Sequence, residues 1–343
     1  MKYSGKYSIF DQSRIKTYPL NTRSNKVSRS DLLMPDHVAD KEFKIDAALS
    51  RRITELAEQI IVCRKAGNPV ILFTGAHLIK NGMGPLIVDL VEKEMLTLVA
   101  GNAATAIHDF ELALIGETSE NVPNAISEGR FGMAYEFTYM NTALSLGNEL
   151  NLGYGETLGR MICDPDFKNR ILNRVWHEGS PKEFAFPEIS VITACYEKNI
   201  PFTVHAGIGV DVLDQHPSFD GAAKGGCSGR DFLIYANEVA RLTDGGIVLN
   251  IGSAVQGPEV FLKAVSMAAN TGDVPRDLVT ADFDLREYHP EVMADESEPG
   301  YYFRDQKSIV TRVPRAFHGQ GYYIQGNQLE TVPLLYREIA RRL

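Results

Sequence analysis

The densest run of chemically capable side chains is His205-Ala-Gly-Ile-Gly-Val-Asp211-Val-Leu-Asp214-Gln-His216-Pro-Ser-Phe-Asp220-Gly-Ala-Ala-Lys224. Carboxylates at Asp211, Asp214 and Asp220 suit a cationic substrate such as an amino acid or a polyamine. His205 is of the type that moves protons near neutral pH, and His216 would join Asp211 and Asp214 in holding the substrate. Lys224 could bind a carboxylate or act as an amine nucleophile. The same run also reads as a polar loop of Asx turns ending in a helix cap. His and Asp are suitable metal ligands too, but neither H-x-x-x-H nor H-E-x-x-H spacing occurs, and no metal is assigned.

A second cluster is His108-Asp109-Phe-Glu111 at the start of a helix behind a glycine loop. A histidine beside carboxylates suits general acid–base work on an amine or hydroxyl. The plainer alternative is that Asp109 and Glu111 favour the helix N-terminus. Cys227 precedes Ser228 and Gly229, where a helix start would favour a thiolate and Ser228 would cap the helix.

Four apolar runs end in bends rich in small residues: Thr74-Gly75-Ala76-His77, Gly101-Asn102-Ala103-Ala104, His205-Ala-Gly-Ile-Gly and Gly252-Ser253-Ala254-Val255. Small residues let a backbone approach a ligand closely, and the helix N-termini behind them offer N–H groups to an anion. Together they point to a phosphate-bearing cofactor. No G-x-G-x-x-G sits between a strand and a helix, and no Walker A lysine motif occurs.

The elements needed to position these residues follow from hydrophobic pattern. Pro69–Thr74, Leu96–Ala100, Pro201–His205, Ile247–Ile251 and Leu278–Ala281 are short apolar runs of the kind found in strands buried on both faces. Helical spacing is predicted at 45–65, 85–94, 103–115, 187–198, 230–242, 258–269 and 332–342. Strands alternating with helices of this length argue for a parallel sheet with its ligand at the carboxyl edge. Ser308–Arg312 and Gly321–Ile324 are predicted as two further strands, antiparallel. Residues 1–45 read as an irregular arm, either a loose tail or a segment packed over its own domain or a neighbouring subunit. Residues 46–343 read as one domain with a helical insertion or lid at about 116–186.

At 343 residues the chain can bury a core without disulfides or structural metal. Its formal net charge of −9 and lack of a basic stripe argue against a nucleic-acid partner. The four cysteines have no C-x-x-C spacing, which fits a reducing, cytoplasmic location. No apolar run is long enough for a membrane span and no signal-peptide core is visible, so no membrane association is expected.

The bends also carry a resemblance. Leu98-Val-Ala-Gly-Asn-Ala103 with His108-Asp-Phe-Glu111, Ser190 to Phe202, and Gly246-Ile-Val-Leu-Asn-Ile-Gly-Ser-Ala-Val255 resemble, in order, blocks of the deoxyhypusine synthase superfamily. The Gly101–Gly116 stretch is also similar to the NAD-dependent ornithine cyclodeaminase domain. The resemblance implies an α/β, three-layer Rossmann-like fold with a mostly parallel sheet, NAD as cofactor, and often a homo-oligomer. It implies that Thr74, Gly75, Ala76, Gly101, Asn102, Gly252, Ser253 and Ala254 line the cofactor, with Asp282 or Asp284 at a ribose hydroxyl. The family's imine-forming lysine falls at or near Glu259, which cannot form a Schiff base and would instead face substrate. Lys263 lies one helical turn on and is the nearest substitute. The expectation is an NAD-dependent enzyme that transiently oxidises a small amine or amino-acid-like substrate to an imine, and that does not make deoxyhypusine. The alternatives are a metal- or thiol-dependent hydrolase on the same sheet, or a non-catalytic nucleotide-binding protein.

Overall fold

A computed structural model describes residues 3–343. Its centre is a six-stranded sheet with β2 (Val70–Thr74), β3 (Leu98–Gly101), β5 (Phe202–Val204), β6 (Ile247–Ile251), β7 (Val279–Asp284) and β8 (Gln320–Gln325). The spatial order is β5-β3-β2-β6-β7-β8, and every neighbouring pair is parallel. Counted along the chain this is 3-2-1-4-5-6, the doubly wound order of the Rossmann fold, whose crevice opens between its first and fourth strands. Here those strands are β2 and β6.

Helices cover both faces. Ala47–Lys65, Gly84–Glu92, Ala103–Ile115, Val191–Glu197 and Gln328–Ala340 lie on one side, with Leu72, Val99 and Leu249 pointing into them. Gly221–Val239 and Gln256–Thr271 lie on the other, against Ile71, Phe73 and Val248. The alternation along β2 explains why its sequence is apolar at every position: all five residues are buried, on two different faces.

Residues 116–186 hold the short helix Val122–Ser127 and three longer ones, Phe137–Glu149, Tyr154–Cys163 and Pro165–Val175. Tyr139, Leu144, Tyr154, Met161 and Phe167 are all core residues, so the segment is a packed part of one helical layer.

Two expectations change. Ser308–Arg312 is not a strand: Gln306–Arg312 is a π-helical segment, with the Asp305 side chain accepting from Gln306 N. And β8 is parallel, not antiparallel. The two facts have one cause. Parallel neighbours need a crossover that leaves the sheet plane, so the chain between β7 and β8 must coil over a face. The helix predicted at 230–242 also begins earlier, at Gly221, where Asp220 caps Ala222 N and Ala223 N at 2.9 and 3.2 Å.

The arm is folded onto its own domain. Its β1 (Asn25–Ser28) pairs antiparallel with β4 (Glu117–Glu120), and Leu20 is buried with its N–H on Glu136 at 2.7 Å. Among the described residues no helix is long and apolar enough to cross a membrane.

Candidate functional site

The four small-residue bends meet on one rim. Gly75 N–H donates to the Ile251 carbonyl at 2.9 Å, and a side chain added at Gly75 would run into the Gly252 carbonyl. Thr105 Oγ1 donates to the Thr74 carbonyl at 3.3 Å, and His205 N–H to the Gly101 carbonyl at 2.9 Å. Gln256 Nε2 donates to the His205 carbonyl. Gly252 sits in the left-handed region at φ 64° and is exposed with Ala254. The turn leads into Gln256–Thr271, whose N-cap residue, Val255, has no capping side chain; Ser253 Oγ accepts only from Gly257 N, at 2.9 Å. The remaining N–H groups of that first turn can meet an anion. Asn102 is spent on its own helix, accepting from Thr105 N at 2.9 Å. Thr74 and Gly101 are buried beneath the rim, and Ala76 is half-buried at its edge.

Asp282 lies in β7, two residues before the strand ends, and is buried below the same rim. Its Oδ1 accepts from Asn250 Nδ2 at 2.7 Å, while Oδ2 is buried without a partner. Burial, then repulsion from Asp305, pushes its carboxyl well above the ordinary range. Asp282, Asp284 and Asp305 bring oxygens within 4.8 Å of one another, yet the Arg286 guanidinium already bridges Asp284 and Asp305.

A cleft of about 640 Å³ opens beside β3 and β5, on the same edge of the sheet. His108 and Glu111 line it, and the arm supplies Arg23 to its wall. These residues form a chain. Thr118 Oγ1 gives its one proton to Glu111 Oε2 at 2.5 Å, so it can only accept from His108 Nδ1, 2.7 Å away. Glu111 is held in turn by Arg23 Nη1 at 2.7 Å. The imidazole is therefore fixed in the Nδ1–H tautomer with a lone pair on Nε2, the arrangement of an oriented base. Burial lowers the His108 pKa below its ordinary 6.5, against the pull of Glu111.

Asp109 does not join them. It is fully buried and turned away from the cleft, accepting from Ser190 Oγ at 2.5 Å, Val191 N at 2.8 Å and Ile192 N at 3.1 Å. Burial raises its pKa to about 6. It stitches the Val191–Glu197 helix to the Ala103–Ile115 helix. Asp109→Ala strands those three donors in the core and is expected to cost about 3 kcal/mol, read as a lowered denaturation midpoint.

The 205–224 run divides. Lys224 is buried and reaches the Gly207 carbonyl at 2.8 Å, Asp211 Oδ2 at 2.7 Å and Asp214 Oδ1. Asp214 also accepts from Gly209 N at 2.7 Å, and Asp211 from Gly207 N at 3.2 Å. Asp211 and Asp214 line the cleft, with Lys224 locked behind them. Burial raises the Asp211 pKa despite that lysine. His216 is buried against Phe137, its Nδ1 2.7 Å from Ser218 Oγ, and burial lowers its pKa to about 4.

His205 lies beneath the rim among Phe73, Tyr235 and Phe232, at ring separations of 5.4, 5.2 and 6.4 Å. Burial in this cage lowers its pKa to about 3, so it stays neutral at physiological pH. An unfolded chain protonates that histidine near pH 6.5, so the stability it contributes is intact above 6.5 and declines as pH falls toward 3. His205→Phe is expected to recover on the order of 2 kcal/mol of the loss between pH 7 and pH 5, measured by denaturant unfolding at both pH values.

Glu259 and Lys263 pair with each other on the outer face of Gln256–Thr271, and Arg304 Nε lies 3.7 Å from Glu259. Neither lines the cleft. Cys227 and Ser228 lie inside a helix, not at its start. Burial pushes the Cys227 thiol up, opposite to an activated thiolate, and Ser228 Oγ donates to the Val204 carbonyl at 2.8 Å.

Fold and site together define a doubly wound parallel α/β protein with a rim of small-residue bends at its switch point and a polar cleft beside it. No family model matches the sequence, and no curated protein matches it significantly. Among solved structures, similarity is found to ArgZ, an arginine dihydrolase from the ornithine–ammonia cycle in cyanobacteria, at 13% identity over 88% of this chain and TM-score 0.47. AgrE in its ternary complex with ornithine and NAD⁺ is similar at 14% identity over 88% of this chain, TM-score 0.46. This chain spans only 33% and 34% of the lengths of those two proteins. A deoxyhypusine synthase candidate from Entamoeba histolytica is similar at 11% identity, over 95% of this chain and 97% of its own, TM-score 0.43.

Proposed function

We propose that the chain is an NAD-dependent enzyme that oxidises a small amine or amino-acid-like substrate to an imine in the cleft. The observation that carries this reading is the His108–Thr118–Glu111–Arg23 chain on the cleft wall. A carbon–nitrogen oxidation removes a hydride and a proton. NAD, when bound, supplies the hydride acceptor. His108 Nε2 takes the proton from the substrate nitrogen, and Thr118 with Glu111 holds the imidazole in the tautomer that can do so. Asp211, the better exposed of the two cleft aspartates, meets the substrate amine.

The cofactor part rests on the rim. Gly252, Ser253 and Ala254 would hold a diphosphate at the N-terminus of Gln256–Thr271, with Gly75 and Ala76 across the switch point. The open first turn and the exposed small residues fit such a group. Asp282 is buried below the lip and would reach a ribose only after the lip moves.

The test is a single-turnover experiment with NAD and a panel of amino acids and amines, following the reduced nicotinamide chromophore. Reduction with at least one amino acid or amine is expected. Absence of reduction across the panel, by protein that binds NAD, contradicts the proposal.

A further inference from the structure

We infer that the cleft takes its substrate as a zwitterion, the carboxylate of an amino acid being held by Lys26 and Lys80. This rests on the reading of the cleft as the substrate site and names the class of molecule it would accept. The cations on the cleft wall are Arg23, Lys26 and Lys80, and the carboxylates are Glu111, Glu120, Asp211 and Asp214. Arg23 is committed to Glu111 at 2.7 Å. Asp211 and Asp214 share the buried Lys224. Glu120 accepts from Tyr18 Oη at 2.6 Å and from Gly132 N at 3.0 Å. Among the described residues, Lys26 and Lys80 are the cleft cations that make neither an ion pair nor a side-chain hydrogen bond.

The wall thus carries charge of both signs that no ion pair offsets: negative at Glu120 and at the Asp211–Asp214 pair, which shares one lysine, and positive at Lys26 and Lys80, which come from two distant parts of the chain. Lys26 stands on β1 of the arm, and Lys80 ends the short helix that follows β2. Lys80 lines the same cleft as His108, so an anion held there shares the cleft with the base. Arg23, on the same wall, has its Nη2 buried with no hydrogen-bond partner. A carboxylate is the group this wall can satisfy, by charge-assisted hydrogen bonds. A diamine or polyamine would bring a second cation against two unpaired lysines. Asp211 on the other side of the cleft remains for the ammonium. The competing source of negative charge is the cofactor's diphosphate, for which the structure offers a separate place at the Gly252–Gln256 turn.

The experiment compares amino acids with their decarboxylated amines, L-ornithine against 1,4-diaminobutane and L-arginine against agmatine, extended to the other common amino acids. Binding is read by thermal shift and calorimetry on the full chain, with and without saturating NAD. At least one amino acid is expected to bind and its amine to bind about 10- to 100-fold more weakly. Lys26→Met with Lys80→Met should remove that preference and leave NAD affinity unchanged. Equal or tighter binding of the amines, no binding by any amino acid, or preference intact in the double variant would overturn the inference. A parallel loss of NAD affinity in the double variant would also overturn it, by assigning the lysines to the cofactor. The NAD titration reads the cofactor separately: amino-acid preference without NAD binding sinks the cofactor alone, and NAD binding without the preference sinks the carboxylate site alone.

Discussion

His108→Ala is expected to lower turnover by about 10²- to 10⁴-fold, the usual worth of a positioned general base, while NAD affinity stays within about twofold. The side chain is 18% exposed on the cleft wall and its Nδ1 is engaged, so the variant removes a base at the edge of the cleft. Thr118→Val provides the finer test. It keeps the shape of a buried residue but deletes the hydroxyl that fixes the imidazole tautomer. Its effect should fall mainly on kcat. The pH profile follows from the direction of the shift. His108 must be neutral to accept a proton, and burial lowers its pKa below 6.5. Turnover should therefore hold as pH falls to 6.5 and decline only below it, with that acid limb absent from His108→Ala. An acid limb above 6.5, or one that survives the substitution, would assign the base elsewhere.

Gly75→Val is expected to weaken NAD binding by at least about 100-fold, or about 2.7 kcal/mol. The reason is geometric. A Cβ at residue 75 collides with the Gly252 carbonyl, so β2 and β6 must part at the switch point where the diphosphate would lie. Part of the loss will appear as lowered stability, since the same carbonyls hold the rim together. Ala254→Glu separates the two effects. Residue 254 is exposed on the lip and touches no core, but a carboxylate there repels a diphosphate. It should reduce NAD affinity by about tenfold or more at low salt, with an unchanged denaturation midpoint. Equilibrium titration of both variants checks the pair.

The parallel sheet was legible in the sequence because strands buried on both faces leave continuous apolar runs, as in Val70–Thr74 and Ile247–Ile251. The convergence of the bends followed from the same logic, since parallel strands with returning helices put every following loop on one edge. What failed was local. Ser308–Val310 is short, apolar and β-branched, and periodicity alone cannot separate such a run from a buried helical turn. Cys227 looked like a helix start because Gly225, Gly226 and Gly229 suggest a break, whereas Asp220 had already capped that helix.

The cleft divides in the same way. His108 and Glu111 were visible as a histidine and a carboxylate on neighbouring turns, with Asp109 drawn in beside them. One residue's step, about 100° of helical phase, turns Asp109 away from the cleft and against the Val191–Glu197 helix. Arg23, Lys26 and Thr118 gave no signal. They lie in an irregular arm and a short strand, and only the pairing of Asn25–Ser28 with Glu117–Glu120 brings them to His108. Lys224 illustrates the reverse error. A lysine 13 and 10 residues beyond two aspartates reads as reactive, yet burial and three oxygen partners make it a fixed counter-charge.

The central claim is that the rim at the ends of β2 and β6 holds a dinucleotide. Mass spectrometry of small molecules released on denaturing the purified protein, followed by NAD titration of the emptied chain, addresses it directly. The account expects NAD to be released or to bind stoichiometrically, with Gly75→Val abolishing both. Neither release nor saturable binding, or wild-type affinity in the valine variant, would contradict it.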